Sequence, residues 1–292
     1  MKKLTQFILV FLLVCCVLIF TEISKKPAIA GVQIYFFDVG QGDAALIQEG
    51  DQQILIDGGP DDKVLAELGS VMPAGDRKIE HMILTHPHAD HITGLNQVLE
   101  RYEVGEVIST GVVSTSSLYL EFLDKIKTKT KNKKIPFKVP KVGDEIAPFA
   151  DGKIDFLWPG DTYLSKEIDN LNNSSEVFRF CTFDSCALFT GDMEVGEREE
   201  MIAYYMKENK LSELQAQILK VAHHGSENGT GENLLENVKA IHAVISVGLN
   251  NQFGHPHEAA LTLLKEYGLI IHRTDQNGTV RFILNKDGVF PE

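Results

Sequence analysis

The chain has 292 residues, 43% of them hydrophobic, with 28 basic against 41 acidic side chains and a formal net charge of −13. That length suits one large domain or two small ones, the apolar content is ordinary for a packed core, and no linker is apparent. The acidic balance repels polyanions at long range and so weighs against promiscuous nucleic-acid binding.

Met1-Lys2-Lys3 opens the chain, an apolar run follows from Phe7 to Phe20, and polar residues lead to Ala28-Ile29-Ala30. A positive start, a short apolar core and a small-x-small site describe a secretory signal peptide cleaved after Ala30. The run is shorter than the roughly 20 residues a spanning helix needs. Thr5, Gln6 and Thr21 could stretch it, so the alternative is an uncleaved anchor through residues 4–21. Cys15 and Cys16 sit mid-run, not where a lipidated cysteine belongs. Either way, residues 31–292 are expected outside the cytoplasm, secreted or held at a membrane. Without residues 1–30 the count is 24 basic against 40 acidic, or −16.

Val32, Ile34 and Phe36 alternate with their neighbours and predict a strand ending at Asp38-Val39-Gly40-Gln41-Gly42-Asp43. Ala44 to Gln48 and Gln53 to Asp57 read as a hairpin, stopped sharply by Gly58-Gly59-Pro60. Asp57, at the end of a buried strand, is expected to support a turn or orient a ligand rather than to be one. Val64, Leu65 and Leu68 predict a short helix.

His81 to Thr85 reads as a buried strand, and Ile92, Leu95, Val98, Leu99 and Tyr102 recur at helical spacing. Between them lies Thr85-His86-Pro87-His88-Ala89-Asp90-His91, three imidazoles and a carboxylate on a strand-to-helix turn. Side chains there converge at a sheet edge, where α/β folds build their sites. Imidazole nitrogen and carboxylate oxygen suit zinc, manganese or iron, and a catalytic site keeps one position open for water.

Val104 to Ser109 predicts another strand, and Ser116 or Ser117 caps a helix carrying Tyr119, Phe122, Leu123 and Ile126. Seven lysines fall between Lys125 and Lys138, either a hold for a phosphate-rich polymer or, the favoured reading, a solvated helix end and loop. Aromatics for base stacking are nearly absent there. Trp158, at the end of a strand, reads as core or cleft wall. Asn170 to Ser175 forms a polar loop.

Val177 to Phe180 and Ala187 to Thr190 read as hairpin strands flanked inwardly by Cys181 and Cys186. A disulfide is favoured over two free or metal-binding thiols, because no second cysteine pair or nearby histidine completes a metal site. The second strand runs into Thr190-Gly191-Asp192, again a carboxylate at a strand's carboxyl end, which makes Asp192 a candidate bridging ligand. Glu194 to Leu211 predicts a polar, mostly exposed helix. Ile218 to Ala222 is a strand ending in His223-His224-Gly225-Ser226; strand alternation suggests one ligand and one hydrogen-bonded core histidine.

Ala243 to Val247 is a further strand, followed by His255 and a helix with Leu261, Leu264 and Tyr267. His255 could ligate or give a proton to a leaving group. His81, His242, His257 and His272 have no supporting pattern. A closing hairpin is expected to turn at Gln276-Asn277-Gly278.

The segments Phe37 to Asp43, Leu55 to Gly59, Thr85 to His91, Thr190 to Asp192, Leu219 to Ser226 and Gly254-His255-Pro256 together resemble the metallo-β-lactamase superfamily. Within it the chain looks like the hydrolase domain at the carboxyl end of ComEC-type competence proteins, over nearly all of residues 31–290. The resemblance implies an α/β (α+β) fold: an αββα sandwich of two mixed β-sheets with helices outside and metals at one edge. It implies two divalent ions, zinc or manganese, with His86 and His88 on one, Asp90 and His91 on the other, Asp192 bridging, and His223 or His224 completing the second. The superfamily usually adds a histidine before the bridging aspartate. None occurs from 92 to 222, and Asn172-Asn173-Ser174-Ser175 occupies that place, so the resemblance does not by itself fill the first site.

Such a pair would activate a water to attack an ester carbon or phosphorus, with Asp90 accepting a proton and His255 or Lys220 stabilising the leaving group. The expected activity is that of an extracytoplasmic metal-dependent phosphodiesterase, with nucleic acid the first substrate to test. The alternatives are an esterase of a cell-envelope polymer, such as teichoic acid or its choline-phosphate groups, and a polymer- or metal-binding accessory without turnover.

Overall fold

The computed structural model of the chain describes residues 31–128 and 134–292, with Gln6 and Phe11 ahead of them. The remainder of the expected leader and the middle of the lysine run, 129–133, lie outside the described residues.

Strands β1 (Val32–Phe36), β2 (Ala45–Glu49) and β3 (Gln52–Ile56) form an antiparallel meander. Helix α1 (Lys63–Val71) then leads to β4 (Lys78–Ile83), and α2 (Ala89–Arg101) to β5 (Glu103–Ile108), both strands joining in parallel. Helix α3 (Ser117–Thr128) precedes short β6 (Phe137–Lys138), which closes that edge. Ser116 Oγ accepts the Tyr119 N–H at 3.2 Å, the expected cap of α3. The second sheet begins with β7 (Glu145–Ile146), β8 (Gly152–Trp158), β9 (Val177–Thr182) and β10 (Ser185–Phe189), all antiparallel neighbours.

Helix α4 (Val195–Lys207), β11 (Ile218–Lys220), α5 (Glu232–Val238), β12 (His242–Ile245), α6 (Glu258–Glu266) and β13 (Ile270–Arg273) extend the sheet in parallel. After a one-turn helix, α7 (Thr274–Asn277), the chain crosses back to the first sheet as β14 (Val280–Asn285) and β15 (Gly288–Pro291). The sheet orders are β15-β14-β1-β2-β3-β4-β5-β6 and β13-β12-β11-β10-β9-β8-β7.

Strand periodicity sorts the apolar side chains into three layers. Ile34 and Phe36 of β1 point between the sheets, where they meet Phe178, Phe180 and Phe189 in the central core. Phe178 and Phe189 stack with ring centroids 4.9 Å apart. Tyr35, Leu46, Leu55 and Met82 face the other way, onto Ile92, Leu95 and Leu99 of α2 and Phe122 of α3. Leu188, Leu219 and Ala243 face Met201 and Tyr205 of α4 and Leu264 of α6. Both faces of each central strand are therefore dry, which is why they read as nearly continuous apolar runs. Each fully buried phenylalanine contributes about 1.5–3 kcal/mol relative to an exposed one. The result is the αββα sandwich that the resemblance implies.

Two expectations need adjustment. The closing hairpin does not turn at Gln276-Asn277-Gly278. That turn is the crossover between the sheets, because β13 pairs with β12 and β14 with β1; the closing hairpin is β14–β15. The lysine run is not uniformly free. Lys125 Nζ lies 2.7 Å from Glu100 and 2.6 Å from Glu121, and Lys138 lies over the Phe156 ring.

Cys181 and Cys186 face each other across the β9–β10 register and are disulfide-bonded, the pairing favoured from the sequence. Trp158 is half-buried against the outer core of the second sheet, as expected of a wall residue, and its indole N–H donates to Glu197 at 2.7 Å.

Candidate metal centre

Parallel pairing of β3 with β4, and of β10 with β11 and β12, brings the carboxyl ends of these strands together. Asp57, the His86–His91 turn, Asp192, His223–His224 and Ser246 all follow those ends.

Helix α2 carries Asp90 and His91 in its first turn, and main-chain bonds set its position. Gly58 N–H donates to His91 O at 2.7 Å, Gly94 N–H to Gly59 O at 3.1 Å, and Asp43 N–H to Asp90 O at 3.2 Å. So close an approach requires glycine on both sides: a Cβ at Gly94 would collide with Gly58 O, and one at Gly58 with the Leu95 nitrogen. The Gln41 side chain accepts the Gly248 N–H at 3.1 Å, tying the loop after β1 to the loop after β12 and so one sheet to the other.

Four residues converge. One donor atom from each of Asp90, His91, Asp192 and His224 lies within 4.8 Å of the other three. His91 Nε2 and His224 Nε2 stand 3.3 and 3.4 Å from Asp192 Oδ2. Both nitrogens are buried and make no hydrogen bond, and neither does Asp192 Oδ1. Three buried polar atoms without a hydrogen bond, drawn this close together, cost several kcal/mol unless a partner satisfies them. A divalent cation is the partner their chemistry fits, since two imidazole lone pairs and two carboxylates are the donors such ions take.

The opposite nitrogen of each ring is already occupied. His91 Nδ1 lies 2.8 Å from Asp57 Oδ2, whose carboxylate also accepts the Thr85 N–H at 2.9 Å and the Thr85 hydroxyl at 2.7 Å. His224 Nδ1 lies 2.9 Å from Ser246 O and 3.2 Å from Asp43 Oδ1. Asp57 and Ser246 O hold the proton on Nδ1, so Nε2 is the nitrogen that gives up its proton to bind a cation, and Asp43 stands beside the His224 ring as an opposite charge. Asp57 thus orients a ring, the supporting role expected of it. Asp43 supplies a negative charge beside the His224 ring, a role that the Gly42-Asp43 turn does not announce in the sequence.

Burial opposes a charge on either ring, but Asp192 first, with Asp57 and Asp90 around His91 and Asp43 beside His224, holds both well above the usual imidazole value. Burial and its imidazole neighbours push His86 well below it.

His86 and His88 stand beside this group. His86 Nε2 is 3.1 Å from His88 Nδ1 and 3.9 Å from Asp192 Oδ2. His223 reaches Asp192 Oδ2 at 3.9 Å through Nε2, with Nδ1 3.3 Å from Glu194. Strand alternation does not govern His223 and His224, because β11 ends at Lys220. They sit on a turn with φ of 49° and 52°, followed by Gly225 at 81°. Left-handed backbone costs about 1–2 kcal/mol per non-glycine residue, and here it turns both rings toward Asp192.

His255 lies near them, its ring 5.4 Å from that of His223 and 6.3 Å from that of His224. Burial and the neighbouring imidazoles lower its pKa to about 4, so at neutral pH the ring is neutral and does not arrive carrying an extra proton. Lys220 is 4% exposed, with Nζ 2.7 Å from Asp43 and 2.9 Å from Val221 O. That places it behind the cluster, supporting Asp43, rather than against a leaving group.

A four-layer αββα sandwich that gathers acidic and imidazole donors at the carboxyl ends of its parallel strands defines a class of metal-dependent hydrolases. The chain belongs to the Metallo-beta-lactamase superfamily, whose sequence pattern matches residues 37–248. It is 29% identical to ComE operon protein 3 of Bacillus subtilis over 95% of this chain and 36% of that one. Identity to competence protein ComA of Neisseria gonorrhoeae is 26%, over 87% and 32%; to recombination protein 2 of Haemophilus influenzae it is 27%, over 93% and 31%. The chain therefore spans about a third of the length of these relatives.

Among solved structures, the metallo-beta-lactamase fold protein YhfI of Bacillus subtilis superposes with a TM-score of 0.54 at 14% identity, over 89% of this chain and all of that one. CmlA, a diiron beta-hydroxylase from Streptomyces venezuelae, gives 0.51 at 11% identity, over 85% and 53%. At such identities the likeness is one of fold.

Proposed function

We propose that the chain is an extracytoplasmic phosphodiesterase that uses two divalent ions, zinc or manganese, and that nucleic acid is the first substrate to test. The observation that carries this reading is the group formed by half-buried Asp90 with buried His91, Asp192 and His224, with Nε2 of both rings unbonded and Nδ1 of both already engaged. In it Asp90, His91 and His224 would hold one ion and His86 and His88 the other, with Asp192 within 3.3–3.9 Å of His86, His91 and His224. Bound there, the ions would lower the pKa of a water and offset negative charge that develops on a phosphoryl group.

The protein's own residues do the rest. Asp57 and Ser246 O keep Nε2 of His91 and of His224 aimed, with Asp43 beside the second ring. The Asp90 side chain is 32% exposed against 0–3% for His91, Asp192 and His224, so it is the donor that meets solvent and can orient an attacking water through its second oxygen. His255, neutral and on the approach to His223 and His224, offers a ring N–H to an oxygen of the substrate. Lys220 acts through Asp43.

Two of the relatives are named a competence protein and a recombination protein, and those names make nucleic acid the polymer to try. An extracytoplasmic setting is supported by the charged-apolar-small pattern of residues 1–30 and by the Cys181–Cys186 disulfide. Among the described residues no helix is long and apolar enough to cross a membrane.

The test is hydrolysis of bis(p-nitrophenyl) phosphate by the full chain, stripped of metal and then supplied separately with zinc and manganese, beside Asp192→Ala. Activity restored by metal in the parent and absent from the variant supports the reading and makes DNA and teichoic acid the next substrates. Stoichiometric metal binding with no turnover of any phosphodiester would replace it with a binding role.

A further inference from the structure

The loop that stands where the superfamily usually brings another histidine is a single 3-10 turn, Leu171–Ser174, between β8 and β9. Glu194, at the start of α4, gathers it. Glu194 Oε1 accepts from Asn172 Nδ2 and Oε2 from Asn170 Nδ2, each at 2.9 Å, while Asn170 Oδ1 accepts the Asn172 N–H at 3.1 Å. An ionised carboxylate can only accept hydrogen bonds. The Asn172 amide nitrogen must therefore face Glu194, and its carbonyl oxygen must point the opposite way.

That oxygen is buried and has no hydrogen-bond partner, on a residue only 7% exposed. Ser175, which follows the turn, accepts the Asp192 N–H at 3.0 Å and lies 3.5 Å from His86 Nδ1, so the turn packs against the first histidine and the aspartate. His88 Nδ1 and His86 Nε2 are 3.1 Å apart, and Asp192 Oδ2 is 3.9 Å from His86 Nε2. A buried amide oxygen without a donor thus belongs to a turn packed against His86 and Asp192, beside which His88 stands.

Resting on the metal-dependent reading above, we propose that the Asn172 carboxamide oxygen is the fourth protein donor of the first metal position, with His86, His88 and Asp192. Glu194 is a positioning residue that sets the amide's orientation. The chemical consequence is an asymmetry between the two positions. Carbonyl oxygen suits manganese and magnesium, whereas imidazole suits zinc. The first position binds zinc more weakly than the Asp90–His91–His224 position, and the two fill in sequence.

The experiment is metal titration of the stripped full chain against a chromophoric chelator, with manganese spectra by electron paramagnetic resonance, for the parent, Asn172→Ala, Asn172→Asp, Asn172→His and Glu194→Gln. The parent should bind two ions in unequal steps and show a coupled manganese pair. Asn172→Ala should weaken the weaker step by about 100-fold or abolish it, leaving an isolated manganese signal, since loss of even an outer partner typically costs about 10–100-fold. Asn172→Asp, which keeps the oxygen, should retain both ions. Asn172→His should tighten the weaker zinc step by about 10-fold or more, and Glu194→Gln should loosen it by about 10-fold.

Circular dichroism and an unchanged tight step show that a variant is folded. If Asn172→Ala binds both ions as the parent does, or if only His223→Ala loses the weaker ion, the carboxamide is not the donor. A parent that binds one ion alone overturns this assignment and leaves a one-metal version of the proposed function. A parent that binds none overturns both.

Discussion

His91 and His224 give the centre its sharpest pH signature. The metal-free chain holds both rings above their unfolded value, so their contribution to stability is complete below about pH 6.5 and drains away as pH rises through the raised values. A bound ion replaces those protons and reverses the slope. Melting temperature in chelator should therefore fall as pH rises above about 6.5, and in excess zinc it should rise over the same range. Parallel curves would mean that the two rings are not where metal and protons compete. Asp57 allows a second test at this scale. It accepts from the Thr85 N–H and hydroxyl and from His91, so Asp57→Asn presents an amide N–H to a site built to accept. Metal affinity of the tighter step, read by chelator competition, should drop about 10–100-fold while the parent fold persists. No change would make Asp57 a packing residue only. The pairing of Asp57 with His91 was partly legible, because a carboxylate ending a buried strand beside two glycines is unusual. Nothing local in Asp43 or Asn172 announces what each faces, since their partners come from other elements.

At the scale of elements, the fit of α2 against the turn after β3 decides where Asp90 and His91 stand. Gly94→Ala places a methyl against Gly58 O, and overpacking of this kind costs typically about 1–3 kcal/mol. The thermal midpoint should fall by several degrees, and metal affinity should fall with it, because the helix that moves carries two donors. A variant that melts earlier yet binds metal as the parent does would show that the helix adapts without shifting its first turn. The β9–β10 hairpin predicts the opposite pairing of effects. Its disulfide closes a short loop, so reducing it removes at most about 2 kcal/mol by the chain-entropy relation. Denaturant midpoints should drop on reduction with metal binding unchanged, and loss of bound metal on reduction would contradict that. The helix and strand periods announced most of these elements to within a few residues. They did not announce that β13 and β14 belong to different sheets, because periodicity reports burial and says nothing of the partner strand.

For the whole molecule, charge is the property that bears most on substrate. At −13 overall, the chain opposes a polyanion's approach, and salt screens that repulsion within about 10 Å at ~0.1 M. If nucleic acid is the substrate, kcat/KM toward single-stranded DNA should rise several-fold from about 10 mM to about 100 mM salt, with bis(p-nitrophenyl) phosphate nearly indifferent. A steep fall with salt would instead locate a local basic surface that outweighs the net charge, and the lysine run would be the first place to substitute.

By itself the sequence determined the kinds of donor, their order and their places at strand ends, since a His-x-His-x-Asp-His turn between an apolar strand and an amphipathic helix is a local signal. It also carried the nearly continuous apolar runs that mark strands buried on both faces. Only the tertiary structure decided which atoms meet: Nε2 of His91 and His224 left bare because Asp57, Asp43 and Ser246 O occupy the far sides, Lys220 turned inward onto Asp43, and one oxygen of Asn172 left without a donor because Glu194 claims its nitrogen. Backbone preference and burial pattern are properties of short stretches of chain. Which lone pair remains unsatisfied is settled by partners that arrive from distant strands, and no local period encodes them.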